Sequence, residues 1–330
     1  MNLALLSVEG LITRYSTMMG DVKAVEDITF QVKKGEIFGL AGESGCGKTT
    51  AILSIINLLP SNGRIVSGKI SYHDHDLANI SKAELRKDIW WKRISIVFQA
   101  AMNALNPVLS VGDQIAEAII LHENLIKQVA LEKVKKLFEL VGIDPTRTGN
   151  YPHEFSGGMR QRAMIAMALA CNPELIIMDE PTTALDVVVQ GEVLDLVKRL
   201  QKELNLSVII ITHDLSVIAE MCDTTGIMYA GKLVECADTR TIFKKPKHPY
   251  TQGLIGAFPS LSSAWRRLEG IPGSPPDLLN PPPGCKFHPR CHYAQERCRE
   301  EEPISIEIER DHSAACHFID EISKVVYGSQ

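Results

Sequence analysis

Short apolar runs, each followed by polar or glycine-rich residues, recur along the first 240 residues of the chain. Ile37 to Ala41, Leu175 to Met178 and Val208 to Ile211 are each an unbroken or nearly unbroken apolar run. Such runs are typical of strands that are buried on both faces of a parallel sheet. Between the strands a helical period predicts helices, one of which contains Leu131, Val134, Phe138 and Val141. The pattern predicts an α/β fold with a mostly parallel sheet and a ligand at its carboxyl edge.

The sequence pattern changes near residue 241, where prolines become frequent and the predicted alternation of strands and helices stops. We therefore predict two domains, residues 1–240 and residues 241–330. Within the first domain, residues from about 100 to 165 have mostly helical patterns and predict a helical subdomain. The second domain is small and rich in proline.

Composition excludes several classes of protein. Of the 330 residues, 45% are apolar and 23% are charged, which is ordinary for a globular protein. The net charge of −5 gives no basic footprint for nucleic acid. No apolar run reaches the length of about 18 residues that a membrane-spanning helix needs. The first ten residues are mildly apolar but lack a basic leader, so they do not predict a signal peptide.

A glycine-rich segment lies between the first buried strand and a predicted helix. It reads G-x-x-x-x-G-K-T, and this arrangement aims backbone N–H groups and a helix N-terminus at a phosphate chain. The lysine adds a cation for the β- and γ-phosphates, and the threonine hydroxyl can bind Mg²⁺. We therefore predict a nucleoside triphosphate site, and we call residues 42–50 the phosphate loop. Its predicted binding residues are Gly42, Ser44, Gly45, Cys46, Gly47, Lys48, Thr49 and Thr50.

Other polar groups follow predicted strands or begin a predicted helix. Gln99 and His213 each come directly after an apolar strand, and Asp179-Glu180 end another. Ser156-Gly157-Gly158 precede a long helix, where backbone N–H groups can form a second anion-binding nest. The ordinary alternative for Asp179-Glu180 is a solvated strand end, and for His213 taken alone it is a core histidine.

Taken in order, these features resemble the ATP-binding-cassette (ABC) ATPases over residues 8 to 240. Met159 departs from the family pattern, which commonly has glutamine there. The matching residues are Tyr15 for the base-stacking aromatic, Gly42 to Thr50 for the Walker A loop, Gln99 for the Q-loop, Ser156 to Met159 for the signature sequence, Asp179 and Glu180 for Walker B, Ala184-Leu185-Asp186 for the D-loop and His213 for the switch histidine.

The resemblance implies a P-loop NTPase fold with a RecA-like core, and hydrolysis of ATP with Mg²⁺. Thr49, Asp179 and Gln99 are then the expected magnesium-site residues. Glu180 is the expected general base, His213 holds the γ-phosphate, and Lys48 and Gln99 complete the catalytic set. In this family Ser156, Gly157 and Gly158 cap the nucleotide of a second ATPase subunit, identical or related, which implies a dimer.

The C-terminal segments Lys247 to Leu254 and Pro283 to Cys291 resemble one branch of the family, the ATP-binding subunits of bacterial dipeptide and oligopeptide importers, and Asn103 to Pro107 agree. The resemblance implies two integral-membrane permease partners, an extracytoplasmic peptide-binding protein acting indirectly, and a location at the cytoplasmic face of the membrane. No nucleic-acid partner is expected. Nickel importers share much of this pattern and remain an alternative substrate class.

Four cysteines crowd into the tail: Cys285, Cys291, Cys298 and Cys316. An ATP-binding chain without an export signal is expected in the cytosol, where disulfides are disfavoured. The cluster of cysteines therefore predicts a metal site. The spacing lacks the C-x₂-C pair that is usual for zinc. Four thiolates fit a 4Fe-4S cluster, and some members of this branch carry one there. Zinc is the alternative, with His288, His292, His312 and His317 as spare ligands, and four unliganded thiols are the third possibility.

Two functions from other classes compete with an importer subunit. A soluble ABC ATPase that acts on DNA or ribosomes is disfavoured by the single cassette, the absence of a long coiled-coil insertion and the lack of a basic face. A small-molecule P-loop kinase does not account for the signature sequence or for His213.

Overall fold

The computed structural model describes residues 4–99, 104–183, 185–257 and 270–321. Two positions named above, Asn103 and Ala184, lie outside these residues. The chain divides into two compact units. We call residues 32–37 and 79–211 the helical unit. The rest of the described chain, residues 4–31, 38–78 and 212–321, is the phosphate-loop unit. The division at residue 240 stays a prediction.

The strands, in chain order, are β1 (Ala4–Thr17), β2 (Gly20–Lys33), β3 (Ile37–Ala41), β4 (Gly63–Tyr72), β5 (His75–Asp76), β6 (Ile94–Val97), β7 (Leu175–Asp179), β8 (Ser207–Thr212), β9 (Thr224–Tyr229), β10 (Lys232–Asp238), β11 (Ile306–Glu309) and β12 (His312–Ala314).

The helices are α1 (Lys48–Ile55), α2 (Lys82–Glu84), α3 (Val111–Glu123), α4 (Lys127–Leu140), α5 (Gly157–Ala168), α6 (Val187–Leu204), α7 (Leu215–Met221), α8 (Thr239–Lys244), α9 (Pro249–Gly256) and α10 (Glu296–Glu300). Among the described residues, no helix combines the length and the apolar character needed to cross a bilayer.

The phosphate-loop unit contains two groups of paired strands. One has the order β2-β1-β4-β5, and β1 pairs with β4 in antiparallel fashion, with an irregularity between Glu9 and Ile12. The other has the order β11-β12-β10-β9-β3. Within it β3 and β9 are parallel, whereas β9-β10, β10-β12 and β11-β12 are antiparallel. The C-terminal strands thus extend the group of strands to which the phosphate loop is attached.

The helical unit contains the parallel strands β6, β7 and β8, in that spatial order, with every residue of β7 and β8 buried. This confirms the prediction of a parallel sheet from unbroken apolar runs. The predicted helix is α4, in which Val134 and Phe138 are fully buried. It ends before Gly142, whose φ of +73° suits a residue without a side chain.

Candidate nucleotide-binding site

The phosphate loop joins β3 to α1, as the sequence predicts, and two of its glycines cannot be replaced without a clash. Gly42 has φ +151°, and a Cβ there would lie 2.2 Å from the Met228 carbonyl oxygen. Gly47 has φ +104° and precedes the first residue of α1, and a Cβ there would lie 2.2 Å from the Ala24 carbonyl oxygen. Glycine is required at both positions because the backbone of a neighbouring segment passes so close.

Lys48 begins α1 and its side chain folds back over the loop. Its Nζ donates to the carbonyl oxygens of Gly42 at 2.7 Å and of Glu43 at 3.0 Å, and the residue is only 6% exposed. The ammonium is therefore held at the concave side of the loop by backbone dipoles. A phosphate oxygen would find a localised positive charge at this position, beside the N-terminus of α1.

Tyr15 lies beside the same helix. Its hydroxyl donates to Thr50 Oγ1 at 3.3 Å, and a Cβ on Gly63 would lie 2.7 Å from its ring. The structure thus brings the predicted base-stacking aromatic to the start of α1, next to a predicted nucleotide-binding residue. Ser44 and Gly45 on the loop and Thr49 in α1 are exposed, while Cys46 is buried.

In the helical unit, Gln99 and Glu180 meet at the carboxyl ends of β6 and β7. Gln99 Nε2 donates to Glu180 Oε2 at 2.9 Å, and the Thr183 hydroxyl donates to the same oxygen at 3.0 Å. Glu180 has φ +49°, and its N–H donates to the Ile211 carbonyl at 2.8 Å. A carboxylate held by two donors on a constrained backbone is well fixed, as a general base needs to be.

Two other residues that are predicted to act in hydrolysis also occupy strand ends. Asp179, the last residue of β7, is 3% exposed. His213 directly follows β8 and is exposed at the turn into α7, where the Asp214 side chain caps the helix by accepting from the Ser216 N–H at 2.8 Å.

The signature sequence forms the start of α5. The Ser156 Oγ accepts a hydrogen bond from the Met159 N–H at 3.2 Å and so caps the helix. A Cβ on Gly158 would lie 2.5 Å from Val189 Cγ1, so glycine permits close packing against α6. Gly157 is partly exposed at the first position of the helix.

Three residues that contact or form the phosphate loop were not predicted as site residues. Glu43 makes an ion pair with Arg290, with Nη1–Oε2 at 2.7 Å, and its N–H donates to the Tyr250 hydroxyl at 3.0 Å. Arg290 and Tyr250 both belong to segments that carry the resemblance to peptide importers. That resemblance was the only signal in the sequence, and it did not indicate a contact with the loop.

The four tail cysteines line a single cavity, together with His248, Phe287 and neighbouring residues. Burial raises the pKa of the Cys291 thiol to about 11 and that of Cys316 to about 12, and it also raises the pKa of Cys285. All eight cysteines of the chain are free thiols. Within the described residues, no group of three or more His, Cys, Asp or Glu side chains has the arrangement of a formed metal site.

Three of the four spare histidines of the tail have polar contacts elsewhere in the protein. His288 Nδ1 lies 2.9 Å from the Cys285 carbonyl oxygen, and His317 Nε2 lies 3.0 Å from that of Glu301. His312 Nε2 lies 2.9 Å from the buried Glu235 carboxylate. His288 and His317 also line the cavity that contains the four cysteines.

Two family models match the chain. The ABC transporter model matches residues 25–183, and the model of the oligopeptide/dipeptide transporter C-terminal region matches residues 234–298. The dipeptide transport ATP-binding protein DppD of Bacillus subtilis is 45% identical over 96% of this chain and 95% of its own length. The oligopeptide transport ATP-binding protein OppD of Escherichia coli is 45% identical over 91% of this chain and 89% of its own length.

Solved structures of ATP-binding cassettes have the same fold. The dimeric post-hydrolysis state of the cassette MJ0796 bound to ADP and phosphate superposes with a TM-score of 0.61, at 25% identity, over 71% of this chain and 99% of that chain. CbiO1 of Clostridium perfringens, part of the transporter complex cbiONQ, superposes with a TM-score of 0.63, at 27% identity, over 73% of this chain and 91% of that chain. This chain therefore belongs to the ABC transporter family, as an ATP-binding subunit with ATPase activity.

Proposed function

We propose that this ATPase subunit drives the uptake of dipeptides or oligopeptides through membrane permeases. The observation that carries the proposal is the match of more than nine tenths of the chain, including residues 234–298 near its C-terminus, to peptide transport ATP-binding proteins. An ABC ATPase domain alone would be compatible with many transported substrates, whereas the model that matches residues 234–298 describes the C-terminal region of oligopeptide/dipeptide transporters. The subunit then docks at the cytoplasmic face of the membrane, and a peptide-binding protein delivers the substrate.

The phosphate loop binds the nucleotide in this proposal. The loop amides and Lys48 neutralise the phosphates, and Tyr15 stacks on the base. The Thr49 hydroxyl, the Asp179 carboxylate and the Gln99 side-chain carbonyl have the oxygen donors that Mg²⁺ prefers, and these three residues would hold the ion. Mg²⁺ supplies charge neutralisation on the phosphates when it is bound.

Hydrolysis depends on a positioned base more than on covalent chemistry. Glu180 accepts the proton of the attacking water. The Gln99 amide and the Thr183 hydroxyl both donate to Glu180 Oε2 and hold the carboxylate in place. His213 holds the γ-phosphate. Ser156, Gly157 and Gly158 cap the nucleotide of the second subunit, so one chain supplies half of each of two sites.

A Glu180→Gln variant tests the role of the base and the dimer together. We expect ATP hydrolysis to fall by at least about 10²-fold, because proton acceptance is lost while the amide keeps the size of the side chain. ATP should then trap a dimer that gel filtration detects after mixing with the cognate subunit. Glu192→Gln, which changes an exposed carboxylate paired with Arg162, is the matched control and should hydrolyse ATP normally. A strict monomer in the mixture would contradict the proposed dimer.

The transported substrate requires the assembled transporter. We expect proteoliposomes that contain this subunit, its cognate ATPase and both permeases to take up a labelled dipeptide when ATP and the binding protein are supplied. Uptake of Ni²⁺ and not of peptides would instead favour the nickel alternative. Retention of ribosomes or DNA by the purified chain at moderate salt would contradict the importer function altogether.

We also propose that the four tail cysteines bind a metal centre, with a 4Fe-4S cluster as the first candidate. The supporting observation is that the four thiols line one cavity, and that no lysine or arginine is among the described residues that line it. Positively charged iron or zinc would favour the thiolates, since burial alone disfavours them. Zinc is a second candidate, because cysteine thiolates are also its usual ligands.

Anaerobic purification distinguishes the two metals. Iron and sulfide in equal amounts, with a brown colour, would support the cluster, and a colourless protein with one zinc per chain would support zinc. Replacing Cys291 by Ser should abolish binding in either case, whereas replacing Cys236, which lies on β10, should leave the metal content unchanged. A metal-free wild-type protein would contradict the proposal.

A further inference from the structure

We propose that Arg290 and Tyr250 are positioning residues for the phosphate loop, and that through Glu43 the C-terminal segment sets the nucleotide affinity of its own chain. The proposal goes beyond the transport function and does not depend on which solute is carried. It rests on one residue, Glu43, of which the side chain, the backbone N–H and the backbone carbonyl each have a different and structurally fixed partner.

The side chain of Glu43 is held by Arg290 in a two-point ion pair. Arg290 Nη1 lies 2.7 Å from Glu43 Oε2, and Nη2 lies 3.0 Å from Oε1. The arginine is itself fixed, because its Nε donates to the Pro272 carbonyl at 2.7 Å and its guanidinium lies 5.7 Å from the centre of the Tyr229 ring. With only 5% of its side chain exposed, Arg290 makes a partly dry pair that solvent screens weakly.

The backbone of Glu43 is held by Tyr250, whose hydroxyl accepts from the Glu43 N–H at 3.0 Å. Tyr250 is fully buried, and its ring packs against Tyr229 and Phe287 at centroid distances of 4.5 and 5.4 Å. The hydroxyl therefore cannot move without repacking an aromatic cluster. This fixes one peptide of the loop by a contact that is independent of the Arg290 ion pair.

The third group of Glu43, its carbonyl, accepts from Lys48 Nζ at 3.0 Å. The tail is thus linked through a single residue to the cation that meets the phosphates. A loop whose amides and ammonium are already in place loses less conformational entropy when it binds a nucleotide. The contacts with Arg290 and Tyr250 therefore favour binding without touching the ligand.

The negative charge of Glu43 also affects nucleotide binding. Glu43 puts a carboxylate into a loop that must bind a polyanion, and its side chain is 27% exposed. Arg290 neutralises this carboxylate in the free protein. Without Arg290 the carboxylate would repel the incoming phosphates, in addition to loosening the loop.

Arg290→Met is the direct test, with Arg297→Met as its matched control. Each arginine directly precedes a tail cysteine, but Arg297 is paired with Glu301 on an exposed turn of α10, whereas Arg290 is paired with the phosphate loop. The readout is the Kd of a fluorescent ATP analogue with Mg²⁺ on the isolated full-length chain. We expect the Kd to rise about tenfold for Arg290→Met and to stay at the wild-type value for Arg297→Met. Equal values for both variants would overturn the proposal.

A second substitution separates the role of Glu43 from a general loss of structure. Adding Glu43→Gln to Arg290→Met removes the uncompensated carboxylate, so we expect the Kd to return at least halfway to the wild-type value. A double variant that binds as weakly as Arg290→Met would show that Glu43 does not carry the effect. Tyr250→Phe should raise the Kd about threefold by removing the acceptor of one hydrogen bond.

Metal content and thermal unfolding, measured on the same samples, show whether a variant keeps its folded tail. If Arg290→Met does not fold, the Tyr250→Phe variant decides the question, and an unchanged Kd would overturn the proposal. Because no permease or peptide takes part in the binding assay, its failure would leave the proposed transport function standing. A failed transport assay would likewise leave this inference standing.

Discussion

At the scale of single residues, all three glycines of the phosphate loop have positive φ, but Gly45 and Gly47 have very different surroundings. Gly47, at φ +104°, has the Ala24 carbonyl oxygen 2.2 Å from the position of a Cβ. Gly45, at φ +79°, has nothing within 4 Å of that position. Any side chain at Gly45 meets only an unfavourable backbone conformation, whereas at Gly47 it also collides with the backbone of β2.

We therefore predict that Gly47→Ala lowers the free energy of unfolding by about 3 kcal/mol or more, and that Gly45→Ala lowers it by about 1 kcal/mol. Urea unfolding of the nucleotide-free chain measures both values, since the bound nucleotide would add its own contribution. Equal losses for the two variants would show that the contact with Ala24 is not rigid.

At the scale of elements, two helices begin with the same kind of serine cap but differ in their proposed use. Ser156 caps α5 by accepting from the Met159 N–H at 3.2 Å, and Ser110 caps α3 by accepting from the Asp113 N–H at 3.1 Å. The first serine belongs to the signature sequence, and the second does not. Each cap satisfies one N–H that would otherwise lack a partner at a helix start.

We predict that Ser156→Ala and Ser110→Ala each cost about 1 kcal/mol of stability, because each removes one cap. Only Ser156→Ala should also lower ATP hydrolysis, by roughly tenfold or more, since its hydroxyl is proposed to cap the nucleotide of the second subunit. The assay is phosphate release by the variant mixed with its cognate subunit. A similar loss of hydrolysis in Ser110→Ala would point to a general effect of stability.

Elements with a complete local pattern could be predicted from the sequence. β7 and β8 each contain an unbroken apolar run, and the phosphate loop has its lysine and glycines in fixed order, so neither prediction required knowledge of distant residues. β12 could not be predicted, because three residues carry no periodicity and its pairing with β10 depends on tertiary contacts. Nor could the Arg290–Glu43 pair, whose members are 247 residues apart in the chain.

At the scale of the whole molecule, the C-terminal segment completes the phosphate-loop unit. β12 pairs with β10 through Glu235 and Cys236. The buried Glu235 carboxylate also accepts from the Lys247 and His248 N–H groups, at 2.8 and 2.9 Å, and lies 2.9 Å from His312 Nε2. Removing the segment would expose the edge of β10 and leave a buried carboxylate without its partners.

We predict that a chain truncated after residue 240 aggregates or unfolds at a markedly lower temperature. A chain truncated after Glu321 keeps all of these contacts and should behave as the full-length protein does. Gel filtration and thermal unfolding compare the two. A fragment of residues 1–240 that stays monodisperse and binds nucleotide would support the independent domain predicted from the sequence.

Cys46 lies inside the phosphate loop, 2% exposed, with its sulfur 3.7 Å from Lys48 Nζ, and burial raises the pKa of its thiol. A thiol in this state reacts with an alkylating reagent only when the loop opens and the sulfur can lose its proton to solvent. The rate at which Cys46 becomes alkylated therefore measures how often the phosphate loop opens. Mass spectrometry can follow it at this one position, and a nucleotide that closes the loop should slow it.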